Sequence, residues 1–282
     1  MITMNVLRAL GILMAGMSFA NLATSAADDT KQPTLAGKLT ITGSSTVAPL
    51  VAEIGKRFEQ LHPGVRIDVQ TGGSSRGIAD ARSGLADIGM ASRDLKSDET
   101  DIKGHVIARD GIGMIVNAAN PVQSLTDAHI IDIYLGKVTN WKDVGGSDMA
   151  ISVVNKAEGR STLELFAQHY KLKNSDIKAS VIIGDNQQGI KTVSGNPGAI
   201  GYVSIGTAEF EAGQGTPIKL LPLGTVAATV ENVQNASFPL SRSLTLVTKD
   251  EAKDLPKAFI DFARSKDVHD LVKEQFFVPL AE

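Results

Sequence analysis

Two periodicities of apolar residues alternate along this chain. In residues 38–42 and 65–71 every second position is apolar, which predicts strands. Between them apolar residues recur at helical spacing, with Pro49 in the first turn and the stop signal His62-Pro63-Gly64 at the end. A short helix after Gly73 follows the second strand. The order βαβα predicts an α/β fold with a parallel sheet.

The same alternation continues toward the C-terminus. Thr126 is a suitable N-cap for a helix over residues 126–135, and Gly136 is a suitable stop. Strands are predicted at residues 86–91, 105–108, 112–117, 151–154, 199–205 and, as an extended stretch, 237–248. Further helices are predicted near residues 97–103, 163–170, 185–189, 256–263 and 268–277. Residues 118–121 interrupt this pattern of strands and helices, which predicts that the chain first crosses there from one lobe to the other.

The N-terminus has the layout of an export signal. Residues 1–8 carry one Arg and no acid, an apolar run covers residues 9–20, and the small residues 23–27 follow. This order predicts a signal peptide, residues 1–26, cut after Ala26 or Ala27. The apolar run is shorter than the roughly 20 residues that span a bilayer. Because the chain has no cysteine, it needs no disulfides and has no Cys for lipid attachment, which favours a free periplasmic protein.

Composition and charge narrow the class of partner. The chain has 282 residues, of which 43% are hydrophobic and 21% charged, as in a soluble globular protein large enough for two lobes. A net charge of -3 gives no global basic field, so neither nucleic acid nor an anionic membrane is expected as a partner. Recognition of an anion must therefore be local.

Three junctions between a strand and a helix carry small polar residues, at residues 43–46, 72–76 and 159–162. The start of a helix has free backbone N–H groups and a partial positive charge, which suit an anion. Hydroxyl donors and a nearby cation add charge-assisted hydrogen bonds. The cation candidates are Arg76, Arg93, Lys156 and Arg160. Together the junctions predict a site for a small tetrahedral oxyanion.

Each junction also has a purely structural interpretation. Ser and Thr are preferred N-caps whatever the function, and Ser161 with Glu164 fits a capping box. A single Arg is most often a solvated surface charge or half of a surface ion pair. The site prediction therefore depends on all three junctions occurring in one chain.

Taken together, several motifs resemble the family of periplasmic phosphate-binding proteins of high-affinity phosphate ABC transporters. They span nearly all of the mature chain in the expected order. They are residues 42–50 (TGSSTVAPL), 72–77 (GGSSRG), 87–93 (DIGMASR), 136–141 (GKVTNW), 158–162 (EGRST) and 200–203 (IGYV). The resemblance implies a two-lobed type II periplasmic-binding fold, each lobe a mainly parallel sheet flanked by helices, with a two-segment hinge.

The resemblance also implies lobe boundaries, a ligand and partners. Lobe one is expected to comprise residues 37–117 and 241–282, and lobe two residues 118–240. The implied ligand is inorganic phosphate and the implied partner is a membrane permease, and the protein is expected to be a monomer without a cofactor or metal. The expected phosphate contacts are Ser45, Thr46, Ser74, Ser92, Arg93, Lys156, Arg160, Ser161 and Thr162.

One position departs from the family pattern. Many members place an Asp that accepts the proton of bound hydrogen phosphate where this chain has Ser92 followed by Arg93. An Arg has no acceptor atom. Since a carboxylate acceptor repels fully ionised sulfate, its loss bears on selectivity. Either Asp94, Glu158 or Asp185 supplies the acceptor, or the protein is less selective.

Two other classes of function stay open at this point. A hydrolase with Ser44, Ser45 or Ser161 as nucleophile needs an activating base, and the five His residues fit no triad-like motif. A carrier of the same fold that binds sulfate, molybdate or a phosphorylated organic molecule is the nearer alternative. Metal-binding and dinucleotide-binding motifs are missing from the sequence.

Overall fold

A computed structural model describes residues 35–281 of the chain. The strands are β1 (Ala36–Gly43), β2 (Gly64–Thr71), β3 (Ile88–Ala91), β4 (Lys103–Asn117), β5 (Ser152–Lys156), β6 (Val181–Ile183), β7 (Ala199–Ser204), β8 (Ile218–Leu221), β9 (Ser241–Thr248) and β10 (Val278–Pro279). The helices are α1 (Ala48–Leu61), α2 (Ser74–Ser83), α3 (Asp127–Tyr134), α4 (Ser161–His169), α5 (Asn186–Ser194), α6 (Ile205–Gly213), α7 (Val230–Gln234), α8 (Asp254–Ala263) and α9 (His269–Glu274). The predicted signal peptide lies outside the described residues.

The strands form a sheet in the order β2-β1-β3-β9-β4-β7-β5-β6, and β8 and β10 also pair with β4. Strand β1 lies parallel to β2 and β3 at one end, and β5 lies parallel to β6 and β7 at the other. The central strands β9 and β4 run antiparallel to their neighbours. The predicted α/β class is confirmed, and the parallel strands occupy both ends of the sheet.

The long strand β4 runs through both halves of the sheet. Its first part, to Gly111, pairs with β9, and its second part, from Ile112, pairs with β7 and β8. The sequence predicted two strands here, at 105–108 and 112–117. They are one strand because the charged residues Arg109 and Asp110 stay in the ladder with β9, with a bulge between Val106 and Ala108.

The two largest apolar clusters divide along the same line. One packs α1, α8 and α9 against the first half of the sheet and includes Ile41, Phe58 and Phe259. The other packs α3, α4 and the Trp141 loop against the second half. The Trp141 side chain is fully buried, and its indole N–H donates to the Gly198 carbonyl at 2.9 Å. Trp141 therefore packs its loop onto the second half.

Residues typical of helix ends allowed most of the helices to be predicted from the sequence. Pro49 lies in the first turn of α1, whose buried face includes Leu50, Ile54 and Phe58. Thr126 caps α3 by accepting a hydrogen bond from the His129 N–H at 3.1 Å. These ends were predictable because their caps lie within a few residues of the helix.

The helix predicted near residues 97–103 is wrong. The segment forms turns, and its Glu99 carboxylate accepts bonds from the Lys96 N–H and from Arg93, each at 2.8 Å. Side-chain contacts with neighbours therefore hold this stretch, in place of a helical ladder. Among residues 35–281, no helix is long and apolar enough to cross a membrane.

Candidate functional site

Three loops of the first half meet at one edge of the sheet. Because β1, β2 and β3 are parallel, the segments that follow them lie side by side. Ser44, Ser74 and Ser92 come from these segments and are at most 2% exposed. Ser44 Oγ donates to Ser92 Oγ at 3.0 Å, and the Ser92 N–H donates to Ser74 Oγ at 3.1 Å. The result is a buried row of hydroxyls.

The start of α4, in the second half, contacts this row directly. Ser161 Oγ lies 3.0 Å from Ser74 Oγ, 2.6 Å from Ser92 Oγ and 3.2 Å from the Ser92 carbonyl oxygen. The capping box predicted for Ser161 and Glu164 is wrong: Arg160 is the N-cap residue of α4, and it makes no side-chain cap bond. The Ser161 hydroxyl therefore belongs to the cluster between the two halves.

Arg242, from β9, links the hydroxyls of both halves. Its Nη1 donates to Thr162 Oγ1 at 2.9 Å and to Ser92 Oγ at 3.3 Å, and its Nη2 donates to Thr46 Oγ1 at 3.3 Å. Asp110 Oδ2 accepts from Arg242 Nε at 3.0 Å and from Nη2 at 2.7 Å, and both side chains are 1% exposed. Asp110 thus fixes the guanidinium with its remaining donors toward the hydroxyls.

A second cation, Lys156, has a neutral partner. It ends β5, is 3% exposed, and donates from Nζ to Asn186 Oδ1 at 2.8 Å. Asn186 Nδ2 in turn donates to Thr46 Oγ1 at 3.0 Å. Burial, with the nearby Arg242 charge, lowers the pKa of Lys156 to about 7. The site thus contains a buried amine that, among residues 35–281, hydrogen-bonds to an amide oxygen and to no carboxylate.

Two helices point their N-termini toward the cluster without side-chain caps. The N-cap residues of α2 and α4 are Gly73 and Arg160, and neither caps its helix through a side chain. Gly73 has φ +98°, and a Cβ there would lie 2.7 Å from the Gly159 carbonyl oxygen of the second half. A glycine is therefore required where the two loops touch. The helix starts add partial positive charge to that of Arg242 and Lys156.

Hydrogen bonds to one another or to Arg242 bring together five of the nine predicted site residues. Lys156 is linked to them through Asn186, which bonds to Thr46. The five are Thr46, Ser74, Ser92, Ser161 and Thr162. Ser45 is half-buried and lines an adjoining cavity of about 240 Å³ with Asn186. Arg160 extends between Gly73 and Gly184, and within the described residues 35–281 its buried Nε has no hydrogen-bond partner. Both lie at the border of the cluster.

Arg93 lies apart from the hydroxyls. Its Nη1 and Nη2 donate to the two oxygens of Glu99, each at 2.8 Å. Ser92 Oγ contacts the hydroxyls of the cluster, whereas the Arg93 guanidinium points toward Glu99 and Glu164. Its predicted contact with the anion is not supported by this geometry. The further cation candidate Arg76 is exposed and pairs with Asp80 at 3.2 Å.

The three acidic residues considered as acceptors of the phosphate proton are exposed or bonded to other groups. Asp94 is exposed, Glu158 is exposed and accepts from Asn174 Nδ2, and Asp185 caps α5 by accepting from the Gln188 N–H at 2.8 Å. The carboxylate that hydrogen-bonds to Arg242 in the cluster is Asp110, and Asp185 lines the adjoining cavity with Ser45 and Asn186. Sequence reasoning missed Asp110, Asn186 and Arg242. The available signal was a charged residue beside a run of mainly apolar residues in each of two strands, Asp110 before residues 111–116 and Arg242 before residues 244–247.

Among residues 35–281, no three His, Cys, Asp or Glu side chains are grouped so as to hold a metal ion. In the same part of the chain, no hydrogen bond joins a histidine to the clustered hydroxyls. Hydrogen-bond donors dominate the cluster, because hydroxyls, helix N-termini and two buried cations converge from both halves of the molecule. Such a site can bind a small oxyanion.

The fold and this cluster define a two-lobed anion-binding protein of the solute-binding class. The profile of the PBP superfamily domain matches residues 27–267. A phosphate-binding protein PstS of Staphylococcus epidermidis is 31% identical over 235 residues, covering 79% of this chain and 72% of the relative. The phosphate-binding protein PstS of Bacillus subtilis is 29% identical over 251 residues, covering 87% and 82%. The chain belongs to the phosphate-binding protein family within the PBP superfamily.

Solved structures agree with this assignment. A Clostridium perfringens crystal structure with bound phosphate is 35% identical, with a TM-score of 0.80, and covers 87% of this chain and 100% of that chain. An ABC-type phosphate transport receptor from Vibrio cholerae is 30% identical, with a TM-score of 0.71, and covers 86% and 100%. The similarity therefore extends over nearly the whole described part of the chain.

Proposed function

We propose that this protein captures inorganic phosphate between its two lobes and delivers it to the permease of an ABC transporter. The observation that carries the proposal is Lys156, an ammonium group that is 3% exposed and bonded to an amide oxygen. An isolated buried charge is unfavourable by several kcal/mol, and a bound anion offsets that penalty. The hydroxyls around Arg242 supply the donors that the oxygens of a tetrahedral anion accept.

The proposed lobes are those expected from the sequence, residues 37–117 with 241–282 and residues 118–240. The division of the apolar cores supports them outside residues 112–117, because one core draws on residues 39–108 and 244–277 and the other mainly on residues 112–240. Contacts such as Ser74 to Ser161 then join the two lobes across the site. Closure around the anion excludes water and strengthens each charged hydrogen bond.

Binding without catalysis is part of the proposal. A serine nucleophile requires an adjacent base, and the hydroxyls here bond to each other and to Arg242. The protein acts as a monomer in the periplasm after loss of residues 1–26. The relatives named as phosphate-binding proteins support the choice of phosphate.

The decisive experiment is calorimetric titration of the mature chain with phosphate, repeated in excess sulfate. We expect tight binding that persists in sulfate. Binding that sulfate abolishes favours the alternative of another oxyanion, and an absence of phosphate binding refutes the proposal. Turnover of a phosphomonoester in a parallel assay would show that the hydroxyls act as nucleophiles.

A further inference from the structure

One carboxylate crosses from the second lobe to the first outside the anion cluster. Glu164 lies on α4, and its Oε1 accepts a hydrogen bond from Ser75 Oγ at 3.0 Å. Its Oε2 lies 3.3 Å from Arg93 Nε and 3.1 Å from Lys96 Nζ. All three partners belong to the first lobe. A single side chain of α4 therefore meets a hydroxyl and two cations across the cleft.

Glu99 orients the Arg93 guanidinium toward Glu164. It binds both Nη atoms of Arg93 from within the first lobe, and burial leaves the Arg93 side chain only 5% exposed. The Glu164 side chain is 27% exposed, so the ion pair is partly shielded from solvent. Partly buried pairs are screened by salt much less than exposed ones. The contact is therefore stronger than an ordinary surface ion pair.

Glu164 reaches these cations only when the lobes meet. Within the first lobe Arg93 already pairs with Glu99, and Asp94 and Asp98 lie in the same segment. Glu164 adds the carboxylate that bridges Arg93 Nε and Lys96 Nζ from the other lobe. Ser161 and Glu164 lie one turn apart on α4, so the motion that brings Ser161 to Ser74 also brings Glu164 to Arg93.

We propose that Glu164, Arg93 and Lys96 form a latch that favours the closed arrangement of the lobes and so sets the affinity and residence time of the anion without touching it. This inference rests on the proposed function. A group that favours the closed state raises ligand affinity by the same factor, because only that state completes the site. The latch acts as a set of positioning residues.

The test compares Glu164→Gln with Asp101→Asn in the full mature chain. Gln keeps the size of Glu164 and an oxygen that accepts from Ser75, while the charge is lost. Asp101 pairs with Arg82 at 2.6 Å inside the first lobe, so its loss removes one paired carboxylate without crossing the cleft. We expect Glu164→Gln to raise the Kd for phosphate about tenfold, mainly through faster dissociation. Asp101→Asn should stay within about twofold.

Two further readouts separate a latch from a local structural effect. The gap between Glu164→Gln and the unaltered protein should narrow in about 1 M sodium chloride, where the pairs are screened. Lys96→Met, at an exposed side chain, should weaken binding alone but add little to Glu164→Gln, because both changes break the same pair. Additive effects, or a Kd for Glu164→Gln equal to that of Asp101→Asn, overturn the latch. Failure of the unaltered chain to bind phosphate overturns the proposed function instead.

Discussion

Replacement of Lys156 by Met should raise the stability of the empty protein and lower its affinity for phosphate. Burial lowers the pKa of Lys156 from its ordinary value of 10.5 to about 7. At pH 7 this difference corresponds to up to about 4 kcal/mol of lost folding free energy, because each pKa unit is worth about 1.4 kcal/mol. Met keeps the length of the side chain and removes the charge, so the variant should regain part of that free energy.

The affinity changes in the opposite direction. Two opposite charges about 4 Å apart attract by about 4 kcal/mol at an effective dielectric constant near 20. Protonating Lys156 at pH 7 requires little free energy, since its pKa is about 7. We therefore expect Lys156→Met to weaken phosphate binding by roughly 2 to 4 kcal/mol, which is about 30- to 1000-fold in Kd.

Urea unfolding in phosphate-free buffer and calorimetric titration measure the two effects. Since the folded state binds fewer protons than the unfolded state between pH 7 and 10.5, the stability of the unaltered protein should rise with pH over that window. Lys156→Met should lose this rise. Lys191→Met, at an exposed lysine of α5, is the control and should change neither quantity. A Lys156→Met variant that binds phosphate like the unaltered protein refutes the reasoning.

The remaining predictions concern the contact between the lobes and acid stability. Gly73→Ala should raise the Kd for phosphate more than about tenfold, because its Cβ meets the Gly159 carbonyl oxygen at 2.7 Å. Gly84→Ala is the matched control, since Gly84 also has a positive φ but no atom within 4 Å of the added Cβ. Small-angle scattering with phosphate should show Gly73→Ala expanded and Gly84→Ala compact, and equal profiles would contradict the clash. Glu99→Gln should reduce the free energy of unfolding at pH 7 by about 2 kcal/mol. Its bond to Arg93 holds the pKa of Glu99 at about 2, so this stabilisation is present above pH 4.5 and is lost as the pH falls toward 2. The loss at pH 7 should exceed that at pH 3 in urea unfolding, and equal losses would show that the Arg93 pair does not hold the carboxylate.

The sequence allowed the loops of the site to be predicted because their signals are local. The motifs Gly-Ser-Ser-Thr at the end of β1 and Gly-Gly-Ser-Ser after β2 are typical of a junction where a strand ends, the backbone can come close to another group, and a helix begins. Parallel strands then bring those ends together at one edge. The hydroxyls of Thr46 and Ser74 could be grouped on that basis, whereas Ser161 follows β5 in the second half and was grouped with them as the third such junction.

The cation at the centre of the cluster could not be found in this way. Arg242 lies in β9 and its partner Asp110 in β4, 132 residues apart. Their meeting depends on two antiparallel strands that lie side by side at the centre of the sheet, and no local pattern encodes that pairing. The contact of Arg93 with the anion stays a prediction, and in the structure its guanidinium pairs with Glu99, six residues further along the chain.

The wide spacing of the site along the chain also determines when binding ability arises. Thr46 and Arg242, which share a hydrogen bond, are separated by 196 residues. A chain still on the ribosome, or one threaded unfolded through an export channel, possesses the hydroxyl loops before it possesses the arginine that organises them. The ligand therefore recognises the finished fold, and at a concentration of 100 times Kd it adds about 2.7 kcal/mol to the stability of that state. The chain thus binds the anion only after it has folded, and the bound anion then stabilises the folded protein against unfolding.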